Sequence, residues 1–131
     1  MYNEKIINTN AKGLYEITDV LKKAILDSNV KDGVCVLVCQ SSTSGIILTS
    51  NLDESSYDDI MSDMERIFPP RINYKNKEDF KKSAAHTISA LYAKPLNIII
   101  NDFNALLGEN QGVFVIDPIG NQKIKYGLKC L

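Results

Sequence analysis

The chain has 131 residues, 44% hydrophobic and 24% charged, a composition that fits one globular domain with a sizeable apolar core. Its net charge of −1 gives no electrostatic basis for binding nucleic acid or an anionic membrane, and no apolar run approaches the roughly 20 residues of a spanning helix. The opening residues Met1-Tyr2-Asn3-Glu4-Lys5 lack the apolar centre of a signal peptide, so a cytoplasmic location is expected.

Taken in order, Ile6-Ile7 and residues 14–16 are short strand candidates around a turn at Lys12-Gly13. Thr18-Asp19 then has the chemistry of a helix start, since threonine can cap free amides and aspartate suits the positive end of the dipole. Val20, Leu21, Ala24 and Ile25 give that helix one apolar face, and it should end near Ser28-Asn29, before the turn Lys31-Asp32-Gly33. Residues 34–39 and Ile46-Ile47-Leu48 each suggest a buried strand. Between them lies Ser41-Ser42-Thr43-Ser44-Gly45, a run of hydroxyls that is unfavourable to bury unless each finds a partner. Two uses are open. The hydroxyls can satisfy local backbone groups in a turn, or they can wall a pocket that holds a small polar or phosphorylated ligand.

Ser55-Ser56-Tyr57-Asp58 resembles a capping box, and Tyr57, Ile60, Met61, Met64, Ile67 and Phe68 recur at helical spacing until Pro69-Pro70 ends the pattern. A polar loop over 71–82 leads to a shorter helix over 84–91, whose Phe80, Ala84, Ile88 and Leu91 share a face. His86 falls on the opposite side with Lys82 and Ser89, so it must meet solvent, a subunit partner or a site. Beyond Pro95, residues 97–101 predict a strand, and Asp102-Phe103-Asn104 a turn into Ala105-Leu106-Leu107. The continuous apolar run 112–116 predicts another strand, broken by residues 118–120. Residues 123–130 alternate, with Ile124, Tyr126, Leu128 and Cys130 inward and the lysines outward, as in a half-buried strand antiparallel to the one before. Asp117 beside Pro118 is either a turn-forming or a catalytic carboxylate. The absence of a βαβ rhythm points to a single α+β domain over 1–131: an antiparallel β-sandwich or sheet core with two to three outer helices.

The cysteines suggest neither a disulfide framework nor a metal site. Cys35 and Cys39 are separated by roughly 13 Å along a strand, too far to bridge. Cys130 is open to either an exposed or a packed position, and His86 is the only histidine.

From about Leu14 onward the chain resembles the YjbQ family, known as secondary thiamine-phosphate synthases. Thr18-Asp19 and Val30-Lys31-Asp32-Gly33 are similar to its first helix and following turn. Ser41-Ser42-Thr43-Ser44-Gly45-Ile46 matches its His-Thr-Thr-Ala-Gly-Ile, and Ser50-Asn51 with Asp53 matches Asn-Glu-Asn and an acidic helix start. Ala85-His86 matches its small residue followed by histidine, and Leu107-Gly108-Glu109-Asn110-Gln111-Gly112 its Leu-Gly-Thr-Trp-Gln-Gly. The departures fall on polar positions. Ser41 and Asn76 (after Tyr74) stand for histidines, Ser50 for a glutamate, Asn110 for a tryptophan and Asp117 for a glutamate. Residues Ile119-Gly120-Asn121-Gln122 stand for Asp-Gly-Pro-Arg.

The resemblance implies a YjbQ-like fold, a homotrimer with sites near subunit boundaries, and transfer chemistry that releases pyrophosphate. Such chemistry wants cations or a metal ion on the departing phosphates, and no cofactor is assigned. His86 and Asp117 are the candidate acid–base residues. Ser41, Ser42, Thr43, Ser50, Asn51 and Gln111 are candidate contacts to a small phosphorylated ligand. Three functions follow: a synthase with substituted site residues, a homologue that binds a small molecule without turnover, or a structural or interaction protein.

Overall fold

The computed structural model describes residues 2–76 and 79–131. Its elements are β1 Tyr2–Asn8, β2 Ala11–Glu16, α1 Thr18–Ser28, β3 Gly33–Cys39, β4 Gly45–Ser50, α2 Glu54–Ile67, α3 Phe80–Tyr92, β5 Leu96–Asn101, β6 Asn104–Ala105, β7 Gln111–Gly120 and β8 Lys123–Cys130. The strands form two antiparallel sheets, ordered β1-β8-β3-β5-β6 and β2-β7-β4. This is the α+β architecture expected, with three helices among the described residues. Among the described residues no helix is long and apolar enough to cross a membrane.

β7 separates two cores. Val113 and Val115 pack against Leu37, Ile100 and Leu128 of the larger sheet and Leu21 and Ile25 of α1. Ile116 packs on the other side with Met61 of α2 and Ile88 of α3, while Phe114 meets Tyr57 edge-on at a ring separation of 5.0 Å. A strand covered on both faces has no position that favours a polar side chain, which is why residues 112–116 form an unbroken apolar run. β8 is covered on one face only, and its alternation survives in the buried Ile124, Tyr126, Leu128 and Cys130.

Several local expectations are corrected. The first turn lies at Thr9-Asn10, and Gly13 sits inside β2 beside a register shift between Ala11 and Gly13. β7 runs through Pro118 to Gly120 because that irregularity faces it, and a bulge tolerates a residue with no amide hydrogen. β8 does not pair with β7; it lies between β1 and β3 in the other sheet. Gly120 (φ 95°) and Asn121 (φ 50°) make the left-handed turn that carries the chain across.

Helix starts also shift. Thr18 does not cap α1, because Ile17 holds the cap position without a side-chain bond. Asp53 caps α2 by accepting from the Ser56 amide, two residues ahead of the expected Ser55. Asp79 caps α3 by accepting from the amides of Lys81 and Lys82, so residues 80–82 are helical rather than loop. Residues 77 and 78 of that expected loop, like Met1 of the opening segment, lie outside the described residues. The buried stripe of α3 is Ser83, Ala84, Ala85, Ile88 and Ser89, whereas Phe80 and Leu91 are exposed.

Small side chains let α3 approach β4 closely. A Cβ on Gly45 would lie 2.6 Å from the Tyr92 carbonyl oxygen, and backbone on both sides limits relief. Gly45→Ala should therefore destabilise the fold by about 1–3 kcal/mol, read as a lower urea midpoint at unchanged slope.

Burial pushes the Cys35 thiol up to about 12, with Cys130 beside it adding to the shift, and pushes Cys39 up to about 11. Each thiol keeps its proton to higher pH in the folded chain than the 9.0 of an unperturbed cysteine. Their stabilisation is complete below pH 9.0 and is lost as pH rises through 11 and then 12. The urea midpoint should fall above pH 9.0, and Cys39→Ala should flatten that decline. An unchanged slope in the variant would exclude the thiol as the cause.

Candidate functional site

Three connections pass from one sheet to the other at the same end of the molecule. These are Thr9-Asn10 between β1 and β2, residues 40–44 between β3 and β4, and Asn121-Gln122 between β7 and β8. They meet at Asp117, which has no exposed surface. One of its oxygens, Oδ1, accepts from the amides of Ile119 and Gly120, each at 2.9 Å, and from Gln122 Nε2. The other, Oδ2, accepts from Thr9 Oγ1 at 2.5 Å. Thr9 in turn accepts from the Gln122 amide at 2.8 Å. Gln122 continues the network by accepting at Oε1 from Thr43 Oγ1 at 2.6 Å and donating from Nε2 to Ser44 Oγ at 3.4 Å.

The hydroxyl run is thus largely spent on the fold. Thr43 and Ser44 are buried in this network. Ser41 Oγ accepts from the Thr43 amide at 3.1 Å, and the Ser41 carbonyl accepts from Ser89 Oγ at 2.9 Å, tying the loop to α3. Ser89, expected beside His86 on the outer face, is buried for this reason. Ser42 alone of the four hydroxyl residues is exposed.

Ser42 faces an open hollow of about 670 Å³ that also takes in His86, Ser89, Ala90, Ala93 and Lys94. Positions 86, 89, 90 and 93 recur every three or four residues along α3 and its cap, so they form one stripe. The hollow offers an imidazole, an ammonium and a hydroxyl around a floor of two alanine methyls. Lys94 stands just past the C-terminal end of α3, where a cation offsets the negative end of the helix dipole.

A second polar knot occupies the other end of β4. Glu16 Oε2 accepts from Thr18 Oγ1 at 2.7 Å and from Asn51 Nδ2 at 3.0 Å, while Thr18 Oγ1 accepts from the Val113 amide at 3.0 Å. Gly112 fits because a Cβ there would lie 2.6 Å from Glu16 Oε2. Asn51 and Gln111 border a hollow of about 560 Å³ with Thr18, Lys22 and Asn110. Gln111 Oε1 accepts from the Gly108 amide at 2.8 Å, and exposed Ser50 accepts from the Leu52 amide at 3.3 Å.

The candidate residues therefore form two groups. Ser41, Ser42, Thr43, His86 and the buried Asp117 belong to the crossover end. Ser50, Asn51 and Gln111 belong to the opposite end, since β4 pairs Gly45 with Ile116 and Ser50 with Gln111. Five strand steps between these pairs put the ends about 17 Å apart, so one chain does not unite them. His86 is not among the hydrogen-bond partners of Asp117 among the described residues. Nor do the described residues contain a cluster of three His, Cys, Asp or Glu side chains placed to hold a metal ion.

Thr9, Glu16, Gln122 and Lys94 were not singled out as site residues from the sequence. Gln122 carried a signal, standing at the end of the segment that replaces Asp-Gly-Pro-Arg. Thr9 carried none, because its partners Asp117 and Gln122 lie 108 and 113 positions away.

Removing the Asp117 carboxylate would strand two backbone amides, Thr9 and Gln122 in a buried site. Asp117→Ala should lower stability by about 3–5 kcal/mol, whereas Thr43→Val, which removes one hydrogen bond, should lower it by about 1 kcal/mol. Chemical denaturation checks both, and equal small losses would mean that the network is not what joins the crossovers.

Residues 3–129 match the family described as UPF0047 protein YjbQ-like. A UPF0047 protein of Methanocaldococcus jannaschii is 30% identical over 131 residues, covering 100% of this chain and 94% of the relative. An uncharacterised YjbQ/UPF0047 family protein of Clostridium acetobutylicum, solved by crystallography, superposes with a TM-score of 0.92 at 30% identity, covering 98% of this chain and 99% of that one. A YbjQ-like protein of unknown function from Sulfolobus solfataricus shares the fold at a TM-score of 0.91 and 18% identity, over 99% of this chain and 95% of its own. With matching sequence over nearly the whole chain and the same two-sheet fold, this protein belongs to the YjbQ family of UPF0047 proteins.

Proposed function

We propose that this protein binds a small phosphorylated ligand in the hollow of Ser42, His86 and Lys94 and does not turn it over. The observation that carries this function is the division of the polar residues. Asp117 and most of the hydroxyl run are consumed inside the fold, whereas His86, Lys94 and Ser42 stand together at an open surface. A lysine ammonium, an imidazole N–H and a hydroxyl are donors suited to phosphate oxygens, and the alanine floor suits an apolar body attached to that phosphate.

The resemblance to secondary thiamine-phosphate synthases implies pyrophosphate release. Developing charge on a leaving pyrophosphate needs several cations or a metal ion. Here serine replaces the matching histidine at position 41 and the matching glutamate at position 50. Asp117, fully buried with both oxygens accepting, offers no proton-transfer route to a ligand in the hollow. Binding without turnover fits these substitutions better than synthesis does.

The homotrimer implied by the family resemblance is part of the same proposal. β4 is an edge strand, and beside it lies an apolar groove of about 380 Å³ lined in part by Ile47, Leu48, Leu91, Pro95 and Leu96. An unpaired edge beside an apolar groove favours self-association. Sedimentation equilibrium should give three times the 14.6 kDa chain mass, and a monomer at all concentrations would remove the trimer from the proposal.

Thermal-shift titration with pyrophosphate and thiamine phosphate tests the binding. A ligand at a hundred times its Kd adds about 2.7 kcal/mol to stability, which is a shift of several degrees. Replacing one charge-assisted contact by His86→Ala or Lys94→Ala should weaken affinity about tenfold or more. Absence of a shift with either compound, or full affinity in both variants, would refute binding at this hollow. In a strain lacking its main thiamine-phosphate synthase the chain should not restore growth; restored growth would show turnover.

A further inference from the structure

The larger sheet places two cysteines directly opposite each other. Cys35 of β3 is in register with Cys130 of β8. The neighbouring pair, Val34 and Leu131, exchanges both backbone hydrogen bonds, at 3.0 and 2.8 Å. In an antiparallel ladder bonded and non-bonded pairs alternate, so Cys35 and Cys130 occupy a non-hydrogen-bonded pair, with α-carbons about 4.5 Å apart and side chains leaning together. That separation lies at the short end of the range a disulfide spans. Both side chains belong to the same buried cluster, and both thiols are free. Cys39 is excluded as a partner of Cys35 by about 13 Å of strand, and it stands opposite Tyr126 instead.

We propose that Cys35 and Cys130 form a redox-modification site that closes into an intramolecular cross-strand disulfide, with a low-molecular-weight disulfide such as oxidised glutathione as the oxidant. Cys130 retains 7% exposure and Cys35 none, so Cys130 meets the oxidant first. Its thiolate attacks one sulfur of the oxidant, forming a mixed disulfide and releasing one thiolate that takes up the proton Cys130 lost. The Cys35 thiolate then attacks the Cys130 sulfur and expels the second glutathione, which takes the Cys35 proton. The protein dithiol is oxidised by two electrons and the glutathione disulfide is reduced to two thiols. The high pKa of Cys35 keeps this site quiet while the ladder is closed, so exchange proceeds through local opening of the β3–β8 pairing. The closed ring embraces residues 35–130, most of the chain, and restricts the unfolded state accordingly.

The full chain, incubated with oxidised glutathione under native conditions, is then denatured, alkylated and mapped by mass spectrometry without reduction. The expected product has lost two hydrogen atoms, links the Cys35 and Cys130 peptides, carries alkyl only on Cys39, and melts about 5–15 °C higher until dithiothreitol reverses it. Cys39→Ser should form the same link and Cys130→Ala should not. Because Cys130→Ala removes a core side chain, Cys39→Ser alone suffices if the other variant fails to fold. Alkylation of all three cysteines after prolonged oxidation, a link through Cys39 or between chains, or a lower melting temperature in the linked form would each overturn the proposal.

Discussion

A single buried carboxylate connects the three places where the chain changes sheets at one end. Asp117 leaves water completely, which is tolerable only because its oxygens accept from two backbone amides, a threonine hydroxyl and a glutamine amide. Those partners come from β7 itself and from the β1–β2 and β7–β8 connections, and Gln122 carries the network on to the β3–β4 connection through Thr43 and Ser44. Two sheets that share no hydrogen-bonded ladder need such junctions to fix their offset. Apolar burial alone is non-directional and would tolerate sliding.

β7 plays the complementary part in the apolar interior. It is the central strand of the smaller sheet and is buried on both faces, so the core shared with α1 and the larger sheet and the core shared with α2 and α3 both depend on its position. Its two ends are anchored by polar knots, Asp117 at one and the Glu16–Thr18–Asn51 group near Gly112 at the other. The same geometry divides the candidate functional residues. Groups gathered at either end of β4 serve different hollows.

Much of the element pattern was legible in the residues. The 3.6-residue recurrence of α1, the alternation of β8 and the unbroken run of β7 each followed from which faces are covered, whereas the stripe of α2 buries Met61 and leaves Ile67 exposed. Register and pairing were not legible in the same way. The run before Pro118 and the alternating segment after it suggested a hairpin, yet the left-handed pair Gly120-Asn121 sends β8 to the other sheet. Nor does local spacing show that Cys130 faces Cys35. That pairing depends on the register of strands widely separated in sequence.

His86 illustrates the boundary between the two kinds of information. Its helical phase, opposite Ala84 and Ile88, places it outside the core, because a helix has a fixed angular period. That its neighbours are Ser42 and Lys94 was decided only by the docking of α3 against the β3–β4 crossover. By itself the sequence determined the class of fold, the apolar face of α1 and the family likeness, since these rest on local periodicity and short motifs. The tertiary structure decided the fate of Asp117 and the hydroxyls, the separation of the two polar ends and the opposition of Cys35 and Cys130. Each of these depends on contacts between segments that local periodicity does not encode.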